Sequence, residues 1–221
     1  VFSLESFFEE YETETSSLVI QGRRFQFHVP KSIDRFIDPQ DPFHAFPLWS
    51  KIWEASVILA DYLAQMPPQR EKRFLEIGCG LGVAGIVASA FGHRLTMTES
   101  NRDALIFVRA NALTNLPSPL TRPEIAPLDW NRPYIEGIFD YIVASEIIYS
   151  ERDYQPIMGL FKTYLKPDGE IILAEGVRRT SFAFFAQAKT HFKVRAQKRT
   201  LRSRGDEVGV ILAQMKFSHA P

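Results

Sequence analysis

Cysteine is almost absent: Cys79 is the one thiol in 221 residues. That excludes an internal disulfide and makes a reducing compartment, the cytoplasm, the expectation. Long apolar runs are also missing, and no stretch approaches the roughly 18 residues a membrane span requires. The segment Val1 to Glu14 is acidic and aromatic, without the basic start and apolar run of a secretory signal. Net charge is absent as well: 26 basic residues balance 26 acidic ones, so bulk electrostatics make no case for nucleic acid. His28, His44, His93, His191 and His219 are scattered with no ligand spacing, so no metal is expected.

What is present is ordinary for a globular protein, 45% apolar and 24% charged. The length suits one α/β domain, read over 47–221, with an N-terminal extension over 1–46. A monomer is expected. Charge is unevenly spread. Glu5, Glu9, Glu10, Glu12 and Glu14 make the start acidic, and Arg178, Arg179, Lys189, Lys193, Arg195, Lys198, Arg199, Arg202 and Arg204 make the last quarter basic. Such a run is either solvated surface or a rim that docks an acidic macromolecule.

Ser3 to Tyr11 reads as a short helix capped by Ser3. Leu18 to Gln21 and Arg23 to Val29 read as a hairpin about Gln21-Gly22, with Phe25, Phe27 and Val29 on its apolar face. Asp38 to Pro47 carries three prolines and reads as irregular chain. Lys51 to Gln65 has helical periodicity, which Pro67-Pro68 ends. Strands and helices then alternate: strands at Arg73 to Ile77, His93 to Thr98, Glu124 to Leu128, Phe139 to Ala144 and Gly169 to Glu175, with helices between and after them. Alternating βα units predict a parallel sheet covered on both faces. Phe192 to Arg199 and Val208 to Phe217 flank Ser203-Arg204-Gly205-Asp206, a turn short enough to require antiparallel pairing. The expected fold is therefore a Rossmann-like α/β sheet, mostly parallel and seven-stranded, ending in an antiparallel hairpin. A small helix and β-hairpin extend it at the N-terminus.

The first βα strand runs into Glu76-Ile77-Gly78-Cys79-Gly80-Leu81-Gly82, and a helix follows. Glycines let the backbone approach a ligand closely, and the helix start adds free N–H groups. Two readings compete. Gly80 to Gly85 fits G-x-G-x-x-G, a dinucleotide signature that is weak alone. Glu76-x-Gly78-x-Gly80-x-Gly82 fits the acidic-plus-glycine loop of S-adenosylmethionine (SAM) enzymes, where the acid meets a cationic amino group. Glu76 would disfavour a pyrophosphate, which argues for SAM. Glu99, at the end of the next strand and beside Ser100, suits ribose hydroxyls in either case. Asp129-Trp130 follows the third strand and offers an acceptor and a ring for adenine. Cys79 reads as a small loop residue rather than a nucleophile.

Three further segments resemble the family-16 methyltransferases, which include protein-lysine methyltransferases of the seven-β-strand class. They are Pro47-Leu48-Trp49-Ser50-Lys51-Ile52-Trp53 with Leu59 to Leu63, Asp129-Trp130, and Ala144-Ser145-Glu146-Ile147-Ile148-Tyr149, which is similar to the family's D/E-x-x-Y motif. Pro-Leu-Trp most resembles the branch containing electron-transfer-flavoprotein β-subunit lysine methyltransferases. Trp53-Glu54-Ala55 departs from that branch's W-P-G-type continuation, so its substrate is not carried over. With Trp53, which the resemblance implies packs near the cofactor, the expected cofactor set is Trp53, Glu76, Gly78, Cys79, Gly80, Gly82, Glu99, Ser100, Asp129, Trp130 and Ser145. The resemblance also implies that Glu146 orients the acceptor and that Tyr149 lines its channel. The expected activity is SAM-dependent N-methylation of lysine in a protein substrate. Small-molecule N- or O-methylation, a SAM-binding module without catalysis, and a nicotinamide enzyme are the rivals.

Overall fold

The computed structural model describes residues 2–41, 46–203 and 205–219. His44, part of the proline-rich 38–47 segment and Arg204 of the closing turn lie outside them. Helix α1 (Leu4–Glu10) starts at Ser3, whose hydroxyl accepts from the Ser6 N–H as expected. Strands β1 (Thr13–Ile20) and β2 (Arg23–Pro30) form a separate antiparallel pair. Gln21 and Gly22 turn between them at φ +46° and +76°, the left-handed pair that a two-residue hairpin demands. The sequence reading began β1 at Leu18. The strand starts five residues earlier because Thr13 to Ser17, though polar, continue the ladder against Pro30 to Gln26.

A 3-10 turn (Leu48–Ser50) precedes α2, which spans Glu54–Gln65. The expected start at Lys51 is three residues too early. Trp53 is the extended N-cap, its indole N–H donates to the Leu48 carbonyl at 2.7 Å, and the Ser56 hydroxyl bonds the Trp53 carbonyl. Trp49 and Trp53 therefore do not share a helix face. Trp49 packs against Phe36 and Phe107 instead.

The main sheet holds β3 (Arg73–Ile77), β4 (Arg94–Glu99), β5 (Glu124–Pro127), β6 (Phe139–Ser145), β7 (Leu165–Gly176), β8 (Phe192–Ser203) and β9 (Asp206–Phe217). Their order is β5-β4-β3-β6-β7-β9-β8. Strands β3 to β7 are parallel where they pair, and β9 runs antiparallel to both β7 and β8. The seven strands and the terminal hairpin match the expected fold. Helices α3 (Val83–Ala90), α4 (Arg102–Asn115), α5 (Tyr154–Tyr164) and α6 (Arg179–Ala188) complete it. One core joins α2, α3 and α4 to one face of the sheet, and Ile20, Phe25 and Phe27 of the hairpin enter it. The other joins α5 and α6 to the opposite face. Order reverses between β3 and β6, so their carboxyl ends open a crevice, the place where such sheets bind ligands. No helix among the described residues is long and apolar enough to cross a membrane.

Candidate active site

The crevice is built first by the glycine loop. Gly80 has φ +52°, and a Cβ there would sit 3.5 Å from the Trp49 carbonyl oxygen, so the loop lies directly beneath the 48–50 turn. Its N–H donates to Glu99 Oε2 at 3.1 Å. Gly82 has φ +84°, and a Cβ would strike Val108 Cγ2 at 2.5 Å. Gly85, in α3, is small for a different reason: its Cβ would fall 2.2 Å from Glu76 Oε2. Glu76 is thus tucked under the loop, 2% exposed, with its Oε2 unpartnered. Burial pushes its pKa up to about 8, against the Gly85 N–H, and the Glu99 charge adds to the rise. Cys79 is also buried, and burial followed by the charges of Glu76 and Glu99 keeps it a thiol.

Glu99 leaves β4 with Oε1 accepting from the N–H groups of Ser100 (2.7 Å) and Asn101 (3.1 Å). Together with Gly80 these occupy three acceptor positions of the about four a carboxylate offers. Asp129 is exposed and accepts from the Asn131 N–H at 2.9 Å. Trp130 lies 3.5 Å from where a Gly78 Cβ would be, so a side chain at Gly78 would close the space between loop and ring.

On the β6 side, Glu146 sits at φ +53°, a left-handed conformation that non-glycine residues adopt rarely. Its N–H donates to the Ala174 carbonyl, and its Oε1 accepts from the Gly176 N–H at 2.9 Å. Arg178 binds the other oxygen and also reaches Glu175 at 3.2 Å. Glu175 is fully buried and accepts from the N–H groups of Ile147 (3.0 Å) and Ile148 (3.4 Å). Burial, then the neighbouring Glu146, raise the Glu175 pKa to about 8, against those N–H groups and Arg178. Tyr149 lies under the guanidinium, with Arg178 Cζ 4.9 Å from its ring centroid. Burial and the Glu146 charge hold the phenol protonated.

A cavity of about 440 Å³ gathers these groups. Glu146, Tyr149 and every residue of the sequence-derived cofactor set except Glu76 and Gly82 line it. Those two stand behind the wall as supports. The sequence reading missed three contributors. Arg178 was counted with surface cations, although it follows β7 directly beside Glu146. Glu175 was read only as the end of a strand. Lys51, taken as the first residue of a helix, lines the cavity with its Nζ 3.7 Å from the Trp53 ring centroid. Among the described residues no group of three or more His, Cys, Asp or Glu could hold a metal ion.

The residues fit SAM. The volume lies in the range of cofactor sites. A left-handed glycine cradle meets a carboxylate at the end of β4, and Asp129 and Trp130 stand beyond it. Fold and cavity together define a class I SAM-dependent methyltransferase. A solved magnesium protoporphyrin IX methyltransferase from Synechocystis PCC 6803, with bound SAM, shares this fold. It superposes at TM-score 0.57, with 14% identity, over 73% of this chain and 77% of that one.

The chain belongs to the lysine methyltransferase family, whose sequence model matches residues 48–191. It is 26% identical over 168 residues to protein N-lysine methyltransferase METTL21A of Xenopus tropicalis, covering 74% of this chain and 78% of that protein. It is 30% identical over 132 residues to EEF1A lysine methyltransferase 3 of Mus musculus, covering 58% and 56% respectively.

Proposed function

We propose that this chain methylates a lysine of a protein partner in the cytoplasm, with Glu146 and Tyr149 on the acceptor side of the cavity. The observation that carries the reading is Glu146, a carboxylate held in left-handed backbone at the cavity wall by Arg178 and the Gly176 N–H. The two similar proteins just described act on protein lysines by name. No residue of helix α1 lines the cavity, which leaves that side open to a macromolecular acceptor. Phe7 packs on Phe107, and the Tyr11 hydroxyl donates to Asp103, behind the glycine loop.

When bound, SAM supplies an electrophilic methyl group on a sulfonium. Glu99, most of whose acceptor positions are taken by backbone N–H groups, would accept from a ribose hydroxyl, and Asp129 with Trp130 would hold the adenine. The glycine loop would hold the methionine end, with the buried Glu76 beneath it. A free lysine has a pKa of about 10.4, so only on the order of one in two thousand is neutral at pH 7. Glu146 aligns the acceptor nitrogen. A lone carboxylate would stabilise the ammonium and oppose deprotonation. Arg178 offsets that: its positive charge balances Glu146 and leaves alignment without locking the proton in place. Much of the rate then comes from proximity, with a ceiling of about 7–11 kcal/mol.

The test is incubation with radiolabelled SAM and a native lysate, beside Glu146→Ala and Gly80→Arg. A labelled protein band that needs both residues is the expected result. Label confined to small molecules would replace the protein acceptor with a metabolite. SAM binding without transfer to anything would make the chain a binding module.

A further inference from the structure

Four strands among the described residues lie at sheet edges, β5 and β8 of the main sheet and β1 and β2 of the hairpin, and they differ in how they are guarded. In the main sheet β8 carries Lys193, Arg195, Lys198, Arg199 and Arg202, and charge of that kind keeps an edge from pairing. Strand β5 is four residues long and ends in Pro127. Strand β1 has neither protection. Thr-Glu-Thr-Ser-Ser-Leu-Val-Ile contains one charge, no proline and no lysine.

Which groups of β1 face outward follows from the register. The Lys31 N–H donates to the Glu12 carbonyl, and hydrogen-bonded pairs alternate along an antiparallel ladder. Glu14, Ser16, Leu18 and Ile20 therefore bond β2. The N–H and C=O groups of Thr13, Thr15, Ser17 and Val19 point away from it. The far side of β2 confirms the parity independently. Asn115 takes the Gln26 N–H (2.9 Å) and donates to its carbonyl (2.7 Å), and Asn111 does the same for His28 (2.7 and 3.3 Å). Helix α4 thus imitates a strand along β2 and closes that edge. The edge of β1 has no such cover: its four outward residues make no hydrogen bond to another part of the chain among the described residues, and Val19 is 65% exposed.

Thr15 of this edge, with Glu14, Ser16 and Leu18, borders a groove of about 940 Å³. Leu48, Lys51 and Trp53 line both this groove and the cofactor cavity, so the two adjoin along these residues. Two acids, Glu14 and Glu54, and two bases, Lys51 and Arg202, line the groove, and they differ in how they are engaged. Arg202 is paired with Glu207, and Lys51 rests on Trp53. Glu14 and Glu54 form no ion pair among the described residues.

We propose that β1 is the docking strand for the protein substrate. An extended, lysine-bearing segment adds to its open edge, runs through the groove past Glu14 and Glu54, and delivers the acceptor side chain beside Trp53. Main-chain hydrogen bonds supply affinity in such strand addition, and the unpaired carboxylates of Glu14 and Glu54 can meet the lysine that the segment carries. This inference rests on the protein-lysine reading above and adds where the substrate binds.

The test uses Ser17→Pro, which removes one outward N–H and spares the bonds to β2, since edge strands tolerate proline on the solvent side. Ser17→Ala keeps that N–H and is the control. Val19→Lys is a second variant that guards the edge by charge without touching the backbone. The probe is a dilution series of native lysate with radiolabelled SAM, read as label in the methylated band. Circular dichroism and SAM titration check the fold and the cofactor site. Ser17→Pro is expected to raise the half-saturating lysate concentration about tenfold, the loss of roughly one hydrogen bond's worth of affinity, and Val19→Lys to raise it as well, by charge repulsion. The plateau rate and SAM affinity should stay unchanged, and Ser17→Ala should match the wild type. A band labelled equally well by all variants overturns strand addition and leaves the protein-lysine reading intact. A wild-type dimer made monomeric by Ser17→Pro, with labelling unchanged, assigns the edge to a second copy and also overturns the proposal. No labelled band with the wild type removes the protein-lysine reading and this inference together.

Discussion

Arg178, just beyond β7, holds the carboxylate of Glu146, just beyond β6, so the acceptor side of the cavity is tied together by two adjacent strands. The same guanidinium contacts Glu175 and covers the ring of Tyr149. Removing it leaves a left-handed Glu146 and a buried Glu175 without their cation. Arg178→Ala is expected to lower kcat by about ten- to a hundredfold through lost alignment, while SAM affinity stays within about twofold. The stability cost should be about 2 kcal/mol, below that of a fully buried pair because the guanidinium is partly exposed. Single-turnover methylation, SAM titration and chemical denaturation measure the three quantities. Arg178→Lys should recover part of the rate. Full activity in Arg178→Ala would show that Glu146 needs no partner.

Glu76 and Glu175 both have folded-state pKa values raised to about 8, first by burial. The unfolded chain releases those protons near the ordinary carboxylate value of about 4.3. Between these values the folded state binds more protons than the unfolded state, so stability falls as pH rises. The favourable contribution is complete below about pH 4 and lost through about pH 8. The melting temperature of the cofactor-free protein is expected to drop between pH 5 and pH 8. Glu76→Gln, which carries no proton to lose, should flatten that slope. A wild-type Tm that rises over this interval would mean that other groups dominate.

Glycines at three positions should respond differently to alanine. Gly82→Ala combines a positive φ with a 2.5 Å clash, and Gly85→Ala drives a methyl into Glu76 and Met97. Each is expected to cost about 1–3 kcal/mol, Gly82 at the upper end. Gly159 lies inside α5 with nothing within 4 Å of its Cβ position. Gly159→Ala should stabilise by about 0.4–1 kcal/mol. Denaturation midpoints of the three variants rank the effects.

The sequence exposed the central βα units well, because buried parallel strands such as Arg73–Ile77 and Phe139–Ser145 are apolar runs ended by glycine or polar residues. The glycine loop, Glu99 and Glu146 were legible for the same reason: they sit where those runs stop. The polar half of β1 was not, since Thr13 to Ser17 bury little and are held by backbone pairing alone. The start of α2 was not, because Trp53 is apolar and fits the helical stripe while its backbone is extended. Arg178 looked like surface charge. Its burial depends on β7 lying beside β6, a pairing that local pattern does not encode.

Asn111 ties the N-terminal hairpin to the cofactor loop, which gives the extension a measurable bearing on cofactor affinity. Its side chain is fully buried, accepts from the His28 N–H, and donates to the carbonyls of His28 and Leu81. Leu81 lies between Gly80 and Gly82, so one amide links β2, α4 and the loop. Asn111→Ala strands a buried N–H and two carbonyls, at an expected cost of about 2–3 kcal/mol. If the loop depends on that anchor, SAM affinity should fall about three- to tenfold, because the bound geometry must then be selected from a looser loop. Asn115→Ala touches the same hairpin through Gln26 but makes no bond to the loop, so it should lose stability and keep its SAM affinity. Isothermal titration of both variants, with denaturation alongside, separates the two effects. Equal SAM affinities in the two variants would show that the glycine loop keeps its shape without Asn111.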